Sequence, residues 1–133
     1  MAMPKATSIV LAVVLVLAMV SQVAGTTGFA TFYTPSYIPS ACYGNQDKGS
    51  MIAAASEVLW NGGKACGDRF VVKCKGATND GVPHPCTGKS VTVQIVDLCP
   101  SPACQGTIDL SQEAFAIIAN RDAGKIKVEY HRI

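Results

Sequence analysis

SVTVQIVDLCPSPACQGTIDLSQEAF, from Ser90 to Phe115, is the stretch whose reading decides the fold. Val91, Val93 and Ile95 alternate with Thr92 and Gln94, the period-two pattern of a half-buried strand. A strand is therefore predicted over Ser90–Val96, ending on Asp97. A short loop between Cys99 and Cys104 follows. Asp109, with Gln112 three residues on, then reads as a capping box opening a helix. Leu110, Ala114, Phe115 and Ile118 recur on one face of that helix, which is expected to end before Gly124. Two carboxylates, Asp97 and Asp109, are thus brought near one another. Such a pair can perform acid chemistry on a sugar, or simply hold a loop and a helix end together.

Upstream, Lys5 precedes an unbroken apolar run of twelve residues, Ile9–Val20, and Val23-Ala24-Gly25 supplies small residues after it. This is the pattern of a secretory signal peptide cleaved near Gly25. The run is shorter than the roughly 18 residues a membrane-spanning helix needs. The expected organisation is a leader, residues 1–25, and one domain, residues 26–133. With Lys5 in the leader, that domain carries a net charge of about +1. It has no basic run to follow a phosphate backbone, so nucleic acid is not an expected partner. Six cysteines, at 42, 66, 74, 86, 99 and 104, fit a disulfide framework in a short secreted domain; fifteen pairings are open to them. There is no CxxC pair, and His84 and His131 lie far apart in sequence, so neither metal nor cofactor is expected. None of Asn45, Asn61, Asn79 and Asn120 has Ser or Thr two residues on, so there is no acceptor for N-glycosylation.

The remaining segments add strands. Gly28–Tyr33 alternates Phe29, Thr31 and Tyr33 with Ala30 and Phe32. Thr34–Asp47 is a loop rich in Pro, Gly and Asn, and Met51–Ala55 reads either as a short strand or as a buried connector. Ser56–Trp60 is a single turn before the Asn61-Gly62-Gly63 corner. Asp68–Cys74 is a strand, Lys75–Gly88 is turn chemistry with a tight turn at Asn79-Asp80-Gly81, and Ile126–Ile133 closes the chain with Ile126, Val128 and Tyr130 on one side. Many short strands, long loops and one C-terminal helix define an all-β class and suggest a compact barrel.

The ordered blocks TFY (31–33), ACYG (41–44), GGKACG (62–67), VTVQIVDLCP (91–100), GTIDLSQEAFAIIA (106–119) and GKIKVEYHRI (124–133) resemble the first domain of expansins and the family-45 endoglucanases. The nearest likeness is to the plant natriuretic peptides, or endoglucanase-45-like domain proteins. The resemblance implies a six-stranded double-psi β-barrel without the second, carbohydrate-binding domain of expansins. It also implies the pairs Cys42–Cys66, Cys74–Cys86 and Cys99–Cys104. The block GGKACG is followed by Asp68 and Arg69, where many expansins have a cysteine after the CG pair.

In the hydrolytic relatives one aspartate near the last helix is the general acid, and Asp109 falls on that position. Inverting hydrolysis needs a second carboxylate about 6.5–9.5 Å away. The matching first-strand region carries Phe32, Tyr33 and Thr34, and no acidic residue occurs between Gly25 and Asp47. Asp109 is then a vestigial acid, and the same residue also reads as an N-cap. The resemblance places a binding groove at Thr31, Tyr33, Asp97 and Asp109. Asp97 reads equally as an Asx-turn residue. Tyr33, Tyr37, Tyr43 and Trp60 are candidates for stacking on sugars or for packing; His84 and His131 read as solvated positions. The expected protein is secreted, apoplastic and non-enzymatic: a monomeric signalling or binding protein of the plant natriuretic type acting in water and solute homeostasis. Its expected partner is a cell-surface receptor or wall polysaccharide, with no membrane insertion after leader removal. An expansin-like wall-loosening or weakly glycan-active protein using Asp109 is the alternative, and a barwin- or kiwellin-like defence protein the third.

Overall fold

Ile52-Ala53-Ala54-Ala55-Ser56 is buried at every position and forms β2 (Ile52–Ser56), the short strand rather than the connector. Small side chains suit a strand covered on both faces. Ala53 and Ala55 join the core, while Ile52 faces outward with Val96 against residues 37–49. A computed structural model of the chain describes residues 25–78 and 81–133. The expected leader up to Ala24, and Asn79-Asp80 of the expected turn, lie outside the described residues.

Around β2 stand β1 (Thr26–Tyr33), β3 (Arg69–Ala77), β4 (Ser90–Cys99), β5 (Ile108–Ser111) and β6 (Ile126–Arg132). The six strands close into a barrel in the order β1-β5-β2-β4-β3-β6. Pairs β1–β5 and β2–β4 are parallel and the other four antiparallel. This is the double-psi β-barrel. Closure leaves no free sheet edge, so each strand's backbone groups are paired on both sides.

Inward-facing Ala30, Val72, Val93, Ile95, Ile108, Leu110, Ile126 and Val128 fill the interior. One turn of helix, α1 (Glu57–Trp60), follows β2 and ends where Asn61 takes a left-handed φ of 50° and Gly62 one of 63°. The second helix, α2 (Gln112–Ile118), presents Ala114, Phe115 and Ile118 to the core, and the Phe115 ring lies 4.9 Å from that of Phe32. Three disulfides pin the loops: Cys42–Cys66, Cys74–Cys86 and Cys99–Cys104. The first two span 24 and 12 residues. Loops of that size are each worth about 3 kcal/mol in the chain-entropy account.

Two expectations are corrected. Asp109 does not cap the helix; it lies inside β5, where Ile108, Leu110 and Ser111 are buried. The cap is Ser111, whose Oγ accepts from the Ala114 N–H at 3.1 Å and donates to the Ser50 carbonyl at 2.5 Å. The alternation Ile-Asp-Leu-Ser wins over the helical spacing because β5 pairs on both sides, with β1 and β2. Three strands are also longer than expected, and β1 begins at Thr26, two residues ahead of its sequence alternation. β3 runs on through Lys75 to Ala77 and β4 through Asp97 to Cys99, because β6 and β2 supply partners beyond the end of the sequence alternation. The helix stops at Ile118, since Ala119 is extended and bridges to Cys86. Replacing the cap, Ser111→Ala, should lower stability by about 1–2 kcal/mol, read as a lower urea midpoint at unchanged slope. A larger loss in Asp109→Asn than in Ser111→Ala would reverse the assignment of the cap.

Candidate functional site

A bulge sets the geometry of the outer face. β2 pairs Ala53 with Ile95 but Ala54 with Asp97, so Val96 is an extra residue in β4. Val91, Val93 and Ile95 point inward; by strict alternation Asp97 would follow them. The extra residue shifts the register by one and turns Asp97 to the outside, as bulges do. Thr31 stands opposite Asp109, Asp109 opposite Ala54, and Ala54 opposite Asp97. Four strands thus build one row across the barrel wall. Its two aspartates stand two strand spacings apart, about 10 Å between backbones, with a methyl group between them.

Thr31 Oγ1 donates to Asp109 Oδ1 at 2.8 Å. Asp97 Oδ1 accepts from the N–H groups of Ala41 at 3.0 Å and Leu98 at 2.9 Å. Asp97 therefore ties the 34–50 loop to the barrel while its carboxylate still faces the row. Tyr33, two residues beyond Thr31 on the same side of β1, packs edge-on to Tyr37 with centroids 5.1 Å apart. Among the described residues two buried side-chain polar atoms have no hydrogen-bond partner, the hydroxyls of Tyr33 and Ser56. Ser56 lies two residues beyond Ala54 on the same side of β2. A buried hydroxyl left unpaired costs about 1–3 kcal/mol, which a ligand hydroxyl recovers on binding. Thr31, Asp109, Phe32, Cys99, Ala103 and Gln105 line an open cleft of about 410 Å³ beside this row.

Sequence reasoning missed two contributors. Ser56 has no motif and is found only by its buried position. Glu113 accepts from the Tyr37 hydroxyl at 2.6 Å, and that hydroxyl accepts from the Gln112 N–H at 3.3 Å, so the start of α2 holds the ring on which Tyr33 rests. The acid at position 113 and the tyrosine at 37 are separated by 76 residues, and local spacing carries no trace of their contact. The other aromatic candidates serve packing: Trp60 lies against the core, and Tyr43 carries the Lys48 ammonium 4.3 Å above its ring. His84 is exposed on its loop, and His131 pairs with Val71 on β6. Among the described residues no group of three His, Cys, Asp or Glu side chains is placed to hold a metal ion.

Burial raises the Asp109 carboxyl above the usual carboxylate range, and the Thr31 hydrogen bond partly opposes it. Burial, and then the charges of Asp97 and Asp109, push the Tyr33 phenol far up, so it remains a hydroxyl donor throughout the physiological range. The Tyr37 phenol is pushed up to about 12 by burial and by Glu113. The row offers one carboxyl that keeps its proton to higher pH than usual, one carboxylate anchored on amides, and two unpartnered hydroxyls. Because the folded pKa of Asp109 is raised, its share of stability is full below the ordinary carboxylate pKa and is lost as pH rises through the folded value. Asp109→Asn should remove that loss, so the variant gains stability relative to wild type as pH rises from acid to neutral. Thr31→Val removes a bond that favours the ionised form and should raise the Asp109 pKa further, measured by carboxyl-carbon NMR titration. An Asp109 titrating at or below the ordinary carboxylate value would refute this account.

Residues 52–130 match the family described as lytic transglycolase, a double-psi β-barrel family. Over 105 residues the chain is 65% identical to an EG45-like domain containing protein of Citrus jambhiri, covering 79% of each sequence. Expansin-B4 of Arabidopsis thaliana is 35% identical over 82% of this chain, which spans 41% of that longer protein. The crystal structure of a Clavibacter michiganensis expansin variant in complex with cellohexaose superposes with a TM-score of 0.62 at 26% identity, covering 81% of this chain and 50% of that one. The register, the three disulfides and these likenesses agree: the chain belongs to the EG45-like domain proteins, an expansin-like family built on the double-psi β-barrel.

Proposed function

We propose that the protein is a secreted, non-hydrolytic binding protein whose groove grips a β-linked glucan chain of the cell wall. In this reading it acts as an apoplastic signal of the plant natriuretic type in water and solute homeostasis. The observation that carries the reading is the state of the row. Burial holds the Asp109 carboxyl above its ordinary range, and Asp97 is engaged on two backbone amides. The first strand opposite carries Thr31 and Tyr33 in place of an acid. Inverting hydrolysis needs a carboxylate free to activate water, and general-base action is worth about 10²–10⁴-fold in rate. Without it the groove holds a chain and does not cut it.

The hydroxyls of Tyr33 and Ser56 offer donors to sugar oxygens, and the Tyr33 ring adds apolar surface. The cellohexaose held by the expansin structure supports a glucan as the occupant here. Residues 1–25 are proposed as the leader and 26–133 as a monomeric domain. Three disulfides support an oxidising compartment, and among the described residues no helix is long and apolar enough to cross a membrane. Expansin-like wall loosening is the second reading, favoured by the likeness to expansin-B4.

Titrating the ¹⁵N-labelled protein with cellohexaose should give saturable shifts at Thr31, Ala54, Ser56 and Asp109, with no reducing ends released above a blank. Tyr33→Phe, which removes the unpartnered hydroxyl, should weaken that binding about fivefold to tenfold, a hydrogen bond's worth. Catalytic release of shorter oligomers that disappears in Asp109→Asn would overturn the non-hydrolytic reading. The absence of any shift in the row would overturn the glucan reading.

A further inference from the structure

A second concavity lies at one end of the barrel, between α1 with its following corner and the adjoining ends of β1, β3 and β6. It has a volume of about 450 Å³, and it shares no lining residue with the cleft beside Asp109. Thr26 lines this mouth and Thr31 the cleft; they are five residues apart on β1, about 16 Å along an extended strand. The floor is apolar: Leu59, Ala65 and the edge-to-face pair Phe70 and Tyr130, with ring centroids 5.9 Å apart. Tyr130 is largely buried and lines the concavity.

The rim is polar and cationic. Lys64, Arg132 and His131 surround the floor with the Asn61 amide and the Thr26 hydroxyl. The one carboxylate there, Asp68, is already engaged by Arg132 at 3.4 Å, a pair with the arginine largely exposed. Arg132 has five N–H donors and uses one of them on Asp68. Lys64 has no ion-pair partner among the described residues. Opposite the anionic row on the barrel wall, the molecule therefore carries a ring-floored cup with two cations on its lip.

We propose that this mouth is a binding site for an acidic sugar, a uronate-bearing oligosaccharide. A pyranose ring rests on the Phe70 and Tyr130 floor, its carboxylate lies between Lys64 and Arg132, and its hydroxyls pair with Thr26, Asn61 and the Tyr130 hydroxyl. The apolar floor suits the C–H face of a pyranose, and the hydroxyl and amide rim suits a polyhydroxylated ligand. A neutral sugar would leave Lys64 unanswered. An acidic peptide would match the cations but not the combination of ring floor and hydroxyl partners. The site is independent of the glucan groove, and either assignment can fail while the other stands.

The test is an NMR titration of the ¹⁵N-labelled protein with trigalacturonate, cellotriose and a hexaglutamate peptide. Trigalacturonate should shift the amides of Leu59, Lys64, Tyr130 and Arg132 saturably, and binding should weaken as ionic strength rises to about 0.15 M. Lys64→Gln, an exposed position, should reduce affinity about fivefold, the worth of one partly exposed ion pair. Asp109→Asn should leave this binding unchanged. Cellotriose bound at the mouth as tightly as trigalacturonate would overturn the proposal, as would tighter binding of hexaglutamate. Shifts confined to the Thr31–Asp97 row, or no shift at all, would overturn it equally.

Discussion

One inserted residue, Val96, governs the chemistry of this barrel. Without it, β4 would alternate strictly and Asp97 would enter the core beside Val93 and Ile95, where an unpaired carboxylate is prohibitive. With it, the register against β2 slips by one and Asp97 faces outward in line with Ala54, Asp109 and Thr31. Val96 itself is buried, and its carbonyl accepts from the Cys42 N–H at 3.0 Å. The bulge therefore also anchors the loop that Asp97 holds through Ala41. Loop, disulfide and carboxylate are fixed by the same irregularity.

The small side chains of β2 are the complement of that bulge. A row of charged and hydroxyl groups needs a flat strand between its acids, and Ala54 provides one without reaching over them. On the inner face Ala53 and Ala55 join the core, whose largest fully buried side chain is Phe115. Helix α2 is seven residues long, too short to be stable alone. It persists because Phe115 and Ile118 are fully buried and because Ser111 ends β5 and caps the helix at once. That coupling places Glu113 against Tyr37, and so carries the position of α2 to the ring beside Tyr33.

Much of this was legible in the sequence, and the boundary of legibility has a physical cause. The alternation in GFATFY, SVTVQIV and IKVEYHR gave β1, β4 and β6 because each has one face in the core. The barrel order came from the matched blocks alone, since pairing between distant strands leaves no local period. Asp109 was misread as a cap because Gln112 stands three residues on; the shorter period of IDLS, apolar then polar, was the better signal. Asp97 was read equally as a loop-holding residue and as a groove residue, and its outward turn depends on a bulge that no residue type announces. The unpartnered hydroxyls and the cationic mouth were not legible at all. They arise where separate strands and corners meet, as at Tyr130 with Lys64.

Those last two features share a logic. A closed barrel of six strands satisfies its backbone wherever its surface residues lie, so the wall and the mouth are free to carry unlike chemistry. The wall holds two carboxylates and hydroxyls without partners; the mouth holds cations around aromatic rings. With a net charge of only +2 over the whole chain, neither surface dominates the long-range field. Under this arrangement substitution on the outer side of β1 leaves the core untouched, because Thr31 and Tyr33 face outward while Ala30 faces inward. A fold of this kind can change the chemistry of its wall by surface substitution alone, and the mouth, framed by the opposite charge, stays chemically distinct from that wall.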